Sequence, residues 1–345
     1  GNAFRFQDTF DNHHPLYAGD VGIGINPALA KRIRDSDLVI AIGPRLGEMT
    51  TGGYTLLQAP RSQQTLVHIH SSAEELNRVY QADLAIHASM RAAARSLEVL
   101  AAPKDVVWEA WTQACNADYV ANLQASPIKD LPFDTERGLV DMHSVIASVQ
   151  RHLPDDAVLT NGAGNFASWL HRFYRYSGLA KGFKTQLAPT NGAMGYGVPA
   201  GIAAAITSKA SPTAAGQGRV VFTIAGDGDF LMNGQELATS VQHGAKTIIL
   251  LLNNGMYGTI RMHQEREYPQ HVAGAGTALH NPDFAALARA YGYAGVRIQR
   301  TVDFEAELRA ALERPQGTLI EVMLEPELIS TRGSLSGITQ AALKR

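Results

Sequence analysis

Val220-Val221-Phe222-Thr223-Ile224-Ala225-Gly226-Asp227-Gly228 and Thr247-Ile248-Ile249-Leu250-Leu251-Leu252-Asn253-Asn254 are the two stretches whose reading decides the fold. Each is an apolar run that stops at Gly or Asn, the pattern of a parallel strand buried on both faces. Between them, Gly234–His243 carries Leu237 and Val241 at helical spacing. The unit therefore reads as strand–helix–strand. Asp227 and Asn254 stand 27 residues apart (227 to 254). Both fall at the carboxyl ends of neighbouring strands, where open α/β sheets bind ligands. A carboxylate and a carboxamide beside a Gly-rich turn are hard oxygen donors, suited to Mg²⁺ holding a phosphorylated cofactor.

Outward from this pair, a length of 345 residues predicts two domains. The apolar fraction of 45% is ordinary for a globular protein. A net charge of −2 gives no electrostatic case for nucleic acid or an anionic membrane surface. The single cysteine, Cys115, excludes an intrachain disulfide and a Cys-based zinc site, and fits a reducing, cytoplasmic setting. No apolar run approaches the roughly 18 residues of a membrane span. The start, Gly1-Asn2-Ala3-Phe4-Arg5-Phe6, lacks an apolar signal core and an initiator Met. The chain is expected to begin inside a longer protein, or to carry a residue left by cloning.

The first half alternates strand and helix. Strands are predicted at Asp37–Gly43, Gln64–His70 and Asp83–Ala88. Helices are predicted at Asn26–Arg34, with Pro27 in the first turn, near Ala73–Val79, and at Met90–Leu100. Residues 1–101 thus form a small α/β domain. A connector over 102–137 contains a helix at Trp108–Gln124, ended by Ser126–Pro132. The second domain, 138–345, opens with an amphipathic helix at Met142–Leu153 and a strand at Ala157–Thr160. Helices follow through Trp169–Tyr174 and at Gly195–Ser208. After the opening motif come a helix at Asp283–Ala290, strands at Gly295–Ile298 and Leu319–Met323, and a helix at Asp303–Leu312 between them. The fold class is α/β, with two doubly wound parallel-sheet domains.

Further stretches stand in a fixed order around the opening pair: Asn191-Gly192-Ala193-Met194-Gly195-Tyr196-Gly197, then Gly226–Glu236, then Leu252–Gly258, then Asn281-Pro282-Asp283-Phe284. Together they resemble the thiamine diphosphate (ThDP) enzymes, and within them the acetolactate synthase and 2-oxo-acid decarboxylase group. The resemblance runs from about Asp11 to Leu335. It implies a Rossmann-like middle domain and a C-terminal domain that binds the ThDP diphosphate.

The resemblance also implies roles. Asp227 and Asn254 become Mg²⁺ ligands, joined by the backbone carbonyl of Met256. Gly226, Gly228 and Asp229 flank the diphosphate, with amides facing the anion. Many relatives carry Ser where Asp229 stands, so its side chain must turn away from phosphate. Gly164 and Asn165 form the other phosphate contact, and Tyr257 belongs to the same loop cluster. The carbonyl of Gly192 holds the aminopyrimidine amine, and Met194 is the wedge that bends the cofactor. Taken singly these residues have blander readings: a helix N-cap for Asp227, a turn for Asn254, core filler for Met194. Gly195–Ala200 also fits a loose dinucleotide fingerprint, discounted because no acidic residue follows at the required spacing.

The implied activity is decarboxylation of a 2-oxo acid with transfer of the two-carbon unit to a second carbonyl. A simple 2-oxo-acid decarboxylase is the alternative, and a cofactor-binding or oligomerisation fragment without turnover is a third reading. In the family a Glu activates the pyrimidine from an N-terminal domain. No such domain is found before Asp11, so no catalytic residue is assigned in this chain, and the isolated chain is expected to be inactive. Relatives build their site between subunits, which implies a homodimer or homotetramer. No Trp stands near His263, where acetolactate synthases tend to have one. Ile260 would shape an apolar acceptor pocket, while Arg261 and His263 read as exposed helix residues. FAD is left open: Gly43-Pro44-Arg45-Leu46-Gly47 resembles the flavin-binding segment of some relatives, and Arg45 equally fits a structural role. His13-His14 reads as loop.

Overall fold

The computed structural model describes residues 1–124, 140–210, 218–271 and 276–344. They fall into two compact units: Gly1–Gln7 with Asn12–Gln124, and Asp8–Asp11 with Ala125–Arg345. The expected helix terminator at Ser126–Pro132 and the domain onset near Gly138 lie outside the described residues.

The first unit opens with the parallel pair β1 (Asn2–Ala3) and β2 (Asp20–Val21). Helix α1 (Pro27–Asp35) follows, with Pro27 at its first position and the Asn26 side chain accepting the N–H of Ala28. Strands β3 (Leu38–Ile42), β4 (Thr65–His70) and β5 (Leu84–His87) form a parallel sheet in that order. Leu46, Leu57, Leu66 and Tyr80 bury against it with Ala41. Its other face leaves Leu38, Ile40, Ile42 and Leu84 exposed. Helix α2 (Met90–Glu98) comes next, then α3 (Glu109–Gln124), the helix expected in the connector. It docks on α1 within this unit: Arg32 pairs with Asp118 at 2.8 Å, and the ring of Tyr119 meets Tyr17 edge-on. No helix forms at 73–79, contrary to expectation; the segment is a run of turns. Asn77 takes φ +60 there, and its Oδ1 accepts the N–H of Ala82, which closes a turn where a helix would need a continued ladder.

The second unit is built on six parallel strands. In chain order its elements are α4 (Met142–His152), β6 (Val158–Asn161), α5 (Ala167–Phe173), β7 (Gln186–Leu187), α6 (Gly197–Ala210), β8 (Val221–Gly226), α7 (Asp227–Asn233), α8 (Leu237–Gln242), β9 (Ile248–Asn253), α9 (Gly258–Glu267), α10 (Phe284–Ala290), β10 (Ala294–Ile298), α11 (Thr301–Glu313), β11 (Thr318–Met323) and α12 (Leu335–Leu343). The strand order is β10-β11-β9-β8-β6-β7. From β6 the chain steps outward to β7, then returns to β8 on the opposite side. The order therefore reverses between β6 and β8, which opens a crevice at their carboxyl ends.

The continuous apolar runs are explained by burial on both faces. Ile248, Leu250 and Leu252 of β9 join a core with Phe222, Ile224, Ile146 and Phe304, while Ile249 and Leu251 join one with Val198, Ile202 and Phe284 on the other side. The helix expected at Gly234–His243 is split into a 3-10 turn, Gly234–Glu236, and α8. Helix α7 starts at Asp227 itself, at the end of the strand where a helix start was expected.

Candidate cofactor site

The register sets the site. Gly226, the last residue of β8, lies opposite Leu252 of β9. Asp227 thus leaves the sheet beside Asn253 and Asn254. Its carboxylate is 3% exposed, and both oxygens are held. Oδ1 accepts the N–H of Gly228 at 2.9 Å; Oδ2 accepts the N–H of Gly255 and the Nδ2 of Asn281, each at 2.8 Å. Burial pushes this carboxyl above its ordinary range, and the hydrogen bonds from Asn281, Gly228, Gly255 and Met256 pull it back down.

The loop after β9 folds around that carboxylate. Asn254 Oδ1 accepts the N–H of Met256 at 3.3 Å, and the Met256 carbonyl accepts the N–H of Gly258 at 2.9 Å, leaving its second lone pair. Segment 277–279 braces the loop from outside: Thr277 accepts from the Tyr257 N–H, and Leu279 donates to the Gly255 carbonyl, each at 2.8 Å. The Tyr257 ring lies over Gly228, where an added Cβ would meet it at 2.5 Å. A side chain at residue 228 would therefore push this ring off the loop.

At the carboxyl end of β6, residues 162–165 make the facing turn. Here Asp229 does what its neighbourhood demands: its side chain turns from the crevice mouth into the protein. Oδ1 accepts the N–H of Gly195 at 2.8 Å. Burial pushes its pKa up to about 7, with the nearby main-chain N–H groups of Gly195 and Ala163 opposing the rise. Met194 is half-buried and Gly192 is exposed with φ +72.

Asn165 is held by the protein itself. Its N–H donates to Thr259 Oγ1 at 2.9 Å, and its Nδ2 donates to the Ile329 carbonyl at 3.1 Å and to the Met262 sulfur at 3.3 Å. Its donors tie the turn to α9 and to the segment before α12. Gly164 gives its carbonyl to the Ala167 N–H, and Gly226 lies against the Phe166 ring.

Asp227, Asn254 and the Met256 carbonyl are all hard oxygens converging on one loop, a donor set that suits Mg²⁺ and not a thiophilic metal. Asn161 Oδ1, Asp229 Oδ2 and Asn281 Oδ1 are buried near these turns with no hydrogen-bond donor among the described residues. Buried oxygens of this kind call for water or a cation. Among the described residues there is no cluster of three His, Cys, Asp or Glu that could hold a metal.

Residues 162–322, the crevice included, match the family model described as thiamine pyrophosphate enzyme, C-terminal TPP binding domain; residues 2–97 match thiamine pyrophosphate enzyme, central domain. The chain belongs to the thiamine pyrophosphate enzymes. Within this family it is similar to the acetolactate synthase large subunit of Parasynechococcus marenigrum, at 28% identity over 91% of this chain and 48% of that protein. The "Probable acetolactate synthase large subunit" of Methanocaldococcus jannaschii is 27% identical over 96% of this chain and 54% of its own length. The acetolactate synthase isozyme 2 large subunit of Escherichia coli is 27% identical over 90% and 52%. The chain spans about half the length of the relatives it matches.

Several residues of this thiamine pyrophosphate enzyme were missed from sequence. Asn281 and Asn253 belong to the carboxylate network, and Asn253 continues it: its Nδ2 donates to Glu321 Oε1 at 2.8 Å, and Glu321 Oε2 pairs with Arg297 at 2.8 Å. Glu321 is fully buried in an otherwise apolar strand. A lone acid in such a strand was the available signal. Arg261 is paired with buried Glu265 at 2.8 Å, His263 is exposed, and Ile260 is 50% exposed. In the first unit Arg45 pairs with Glu75 at 3.4 Å.

Proposed function

We propose that this chain is the ThDP- and Mg²⁺-binding portion of an acetolactate synthase-like enzyme. The observation that carries the reading is the Asp227 carboxylate at the end of β8, fixed by Gly228, Gly255 and Asn281, with the Asn254–Met256 loop folded over it. In this proposal Asp227, Asn254 and the Met256 carbonyl hold the ion. The amides of the turns at Gly164–Asn165 and Gly228–Asp229 face the diphosphate; of these, the Gly228 amide must leave Asp227 Oδ1 and the Asn165 amide must leave Thr259 to do so. The Gly192 carbonyl takes the aminopyrimidine amine, Met194 supports the bent ring system, and Tyr257 keeps Gly228 in place. When bound, ThDP supplies the electron sink for decarboxylating a 2-oxo acid and for passing the two-carbon unit to a second carbonyl. This chain's residues contribute binding, orientation and the exclusion of water.

The substrate is a 2-oxo acid, and assembly as a homo-oligomer belongs to the same proposal. Two measurements test it. Calorimetric titration of the chain with ThDP is expected to show binding that depends on Mg²⁺ and is lost with chelator and in Asp227→Ala. Pyruvate turned over by the complete protein is expected to give acetolactate; release of aldehyde alone would replace the carboligase reading with that of a decarboxylase.

A further inference from the structure

Helix α7 begins with Asp227, and one face of it grips Gly195 from both sides. Asp229 Oδ1 accepts the Gly195 N–H at 2.8 Å, and Asn233 Nδ2 donates to the Gly195 carbonyl at 2.9 Å. Asp229 and Asn233 are four residues apart, one helical turn, so both reach the same peptide neighbourhood. The fit is close. Gly195 takes φ +78, and an added Cβ would stand 2.6 Å from the Met232 Cβ and 2.7 Å from the Asn233 amide. The same Asp229 carboxylate lies against the backbone of Gly162, in the turn after β6. It is 2% exposed. One side chain thus touches three segments: the turn at 162–165, the segment ending at Gly195, and the helix that presents Asp227.

We propose that Asp229, assisted by Asn233, is a positioning pair that couples the diphosphate end of the cofactor site to its ring end. The inference rests on the ThDP reading above. The Asp227 helix and the Ala163 turn serve the anion, and Met194 and Gly192, just before the clamped Gly195, serve the ring. Because rigid α7 carries Asp227, Asp229 and Asn233 together, seating the ion and diphosphate at Asp227 fixes where Met194 stands. Asp229 touches no part of the cofactor in this role; its Oδ1 faces the main-chain N–H of Gly195.

The test compares two ligands on the same chain. Mg²⁺ with inorganic diphosphate engages only the anion end, and Mg²⁺ with ThDP engages both ends. In Asp229→Ala, calorimetry is expected to show ThDP affinity reduced about tenfold more than diphosphate affinity, the size of one lost hydrogen bond. Asp229→Asn, which keeps an acceptor oxygen, is expected to lie between, and it carries the test if the Ala variant fails to fold. Asn233→Ala is expected to lower ThDP affinity with diphosphate affinity unchanged. Hydrogen exchange of the cofactor-free chain, read at the amide of Gly195, should quicken in Asp229→Ala. Equal losses for both ligands, or unaltered exchange at that amide, would overturn the coupling. Absence of any ThDP binding by the wild-type chain would instead strike the cofactor reading itself, and the coupling with it; that result is seen before any variant is made.

Discussion

Asn281 Nδ2 bridges Asp227 Oδ2 and Asn253 Oδ1, at 2.8 Å to each. A single carboxamide from the approach to α10 therefore holds together the two strand ends that define the site. With Glu321 and Arg297 it completes a chain of hydrogen bonds from the partly exposed guanidinium to the buried carboxylate. Asn281→Ala removes both bonds and leaves two oxygens short of a donor. It is expected to destabilise the chain by roughly 1–3 kcal/mol in urea unfolding and to weaken Mg²⁺-dependent ThDP binding. Wild-type affinity in a stably folded variant would show that Asp227 needs no such support.

Glu321 is fully buried, and its partner Arg297 is 39% exposed. Glu321→Gln keeps an acceptor for Asn253 and is expected to cost about 1 kcal/mol. Glu321→Leu strands the Asn253 amide and is expected to cost roughly 2–4 kcal/mol. Arg297→Ala leaves the buried Glu321 carboxylate without its counter-charge and should cost at least as much as Glu321→Leu, in which Arg297 can turn to water. Thermal and urea unfolding of the three variants would order them, and a negligible cost for Arg297→Ala would show that the Asn253 amide alone suffices for Glu321.

Gly195→Ala combines two penalties, the left-handed backbone at φ +78 and the collision with Met232. An expected loss of about 2–3 kcal/mol follows, measurable as a shift in urea midpoint with unchanged slope.

Asp229 also predicts a pH dependence. Its ordinary value is 3.8, and burial lifts it to about 7 in the folded chain. Between those values the folded protein keeps a proton that the unfolded chain has released. Stability contributed by this group is therefore full below about pH 4, falls as pH rises toward about 7, and is level above. The whole change is on the order of 4 kcal/mol for a shift of about three pH units. Urea midpoints measured with chelator from pH 4 to 8 should show this decline, and Asp229→Asn should flatten it. Added Mg²⁺ should also flatten it, since a nearby cation favours the carboxylate.

The legible part of this molecule is the part that local sequence controls. Strands β8 and β9 are uninterrupted apolar runs with abrupt polar ends, so Asp227 and Asn254 could be placed at one edge of a sheet from spacing alone. The inward turn of Asp229 was legible for an electrostatic reason, since a carboxylate beside phosphate must look elsewhere. What Asp229 turns toward was not, because Gly195 is 34 residues away and meets it only through the strand-order reversal. Asn281 lies 54 residues from Asp227 and was hidden for the same reason. The partners of Asn165 were hidden for the same reason, since Thr259, Met262 and Ile329 reach it from elsewhere in the fold. The absent helix at 73–79 failed on one residue, since Asn77 prefers to close its own turn.

A Cβ at Gly162 would overlap the carboxylate of Asp229, and a Cβ at Gly195 would overlap Met232 and Asn233. These positions therefore do not mutate independently. A sequence that exchanges Asp229 for a smaller residue releases Gly162 to acquire a side chain, whereas one that keeps Asp229 holds residue 162 to glycine. Among relatives the two sites should drift as a linked pair, and a side chain at 162 should be lethal to folding only in the Asp229 background.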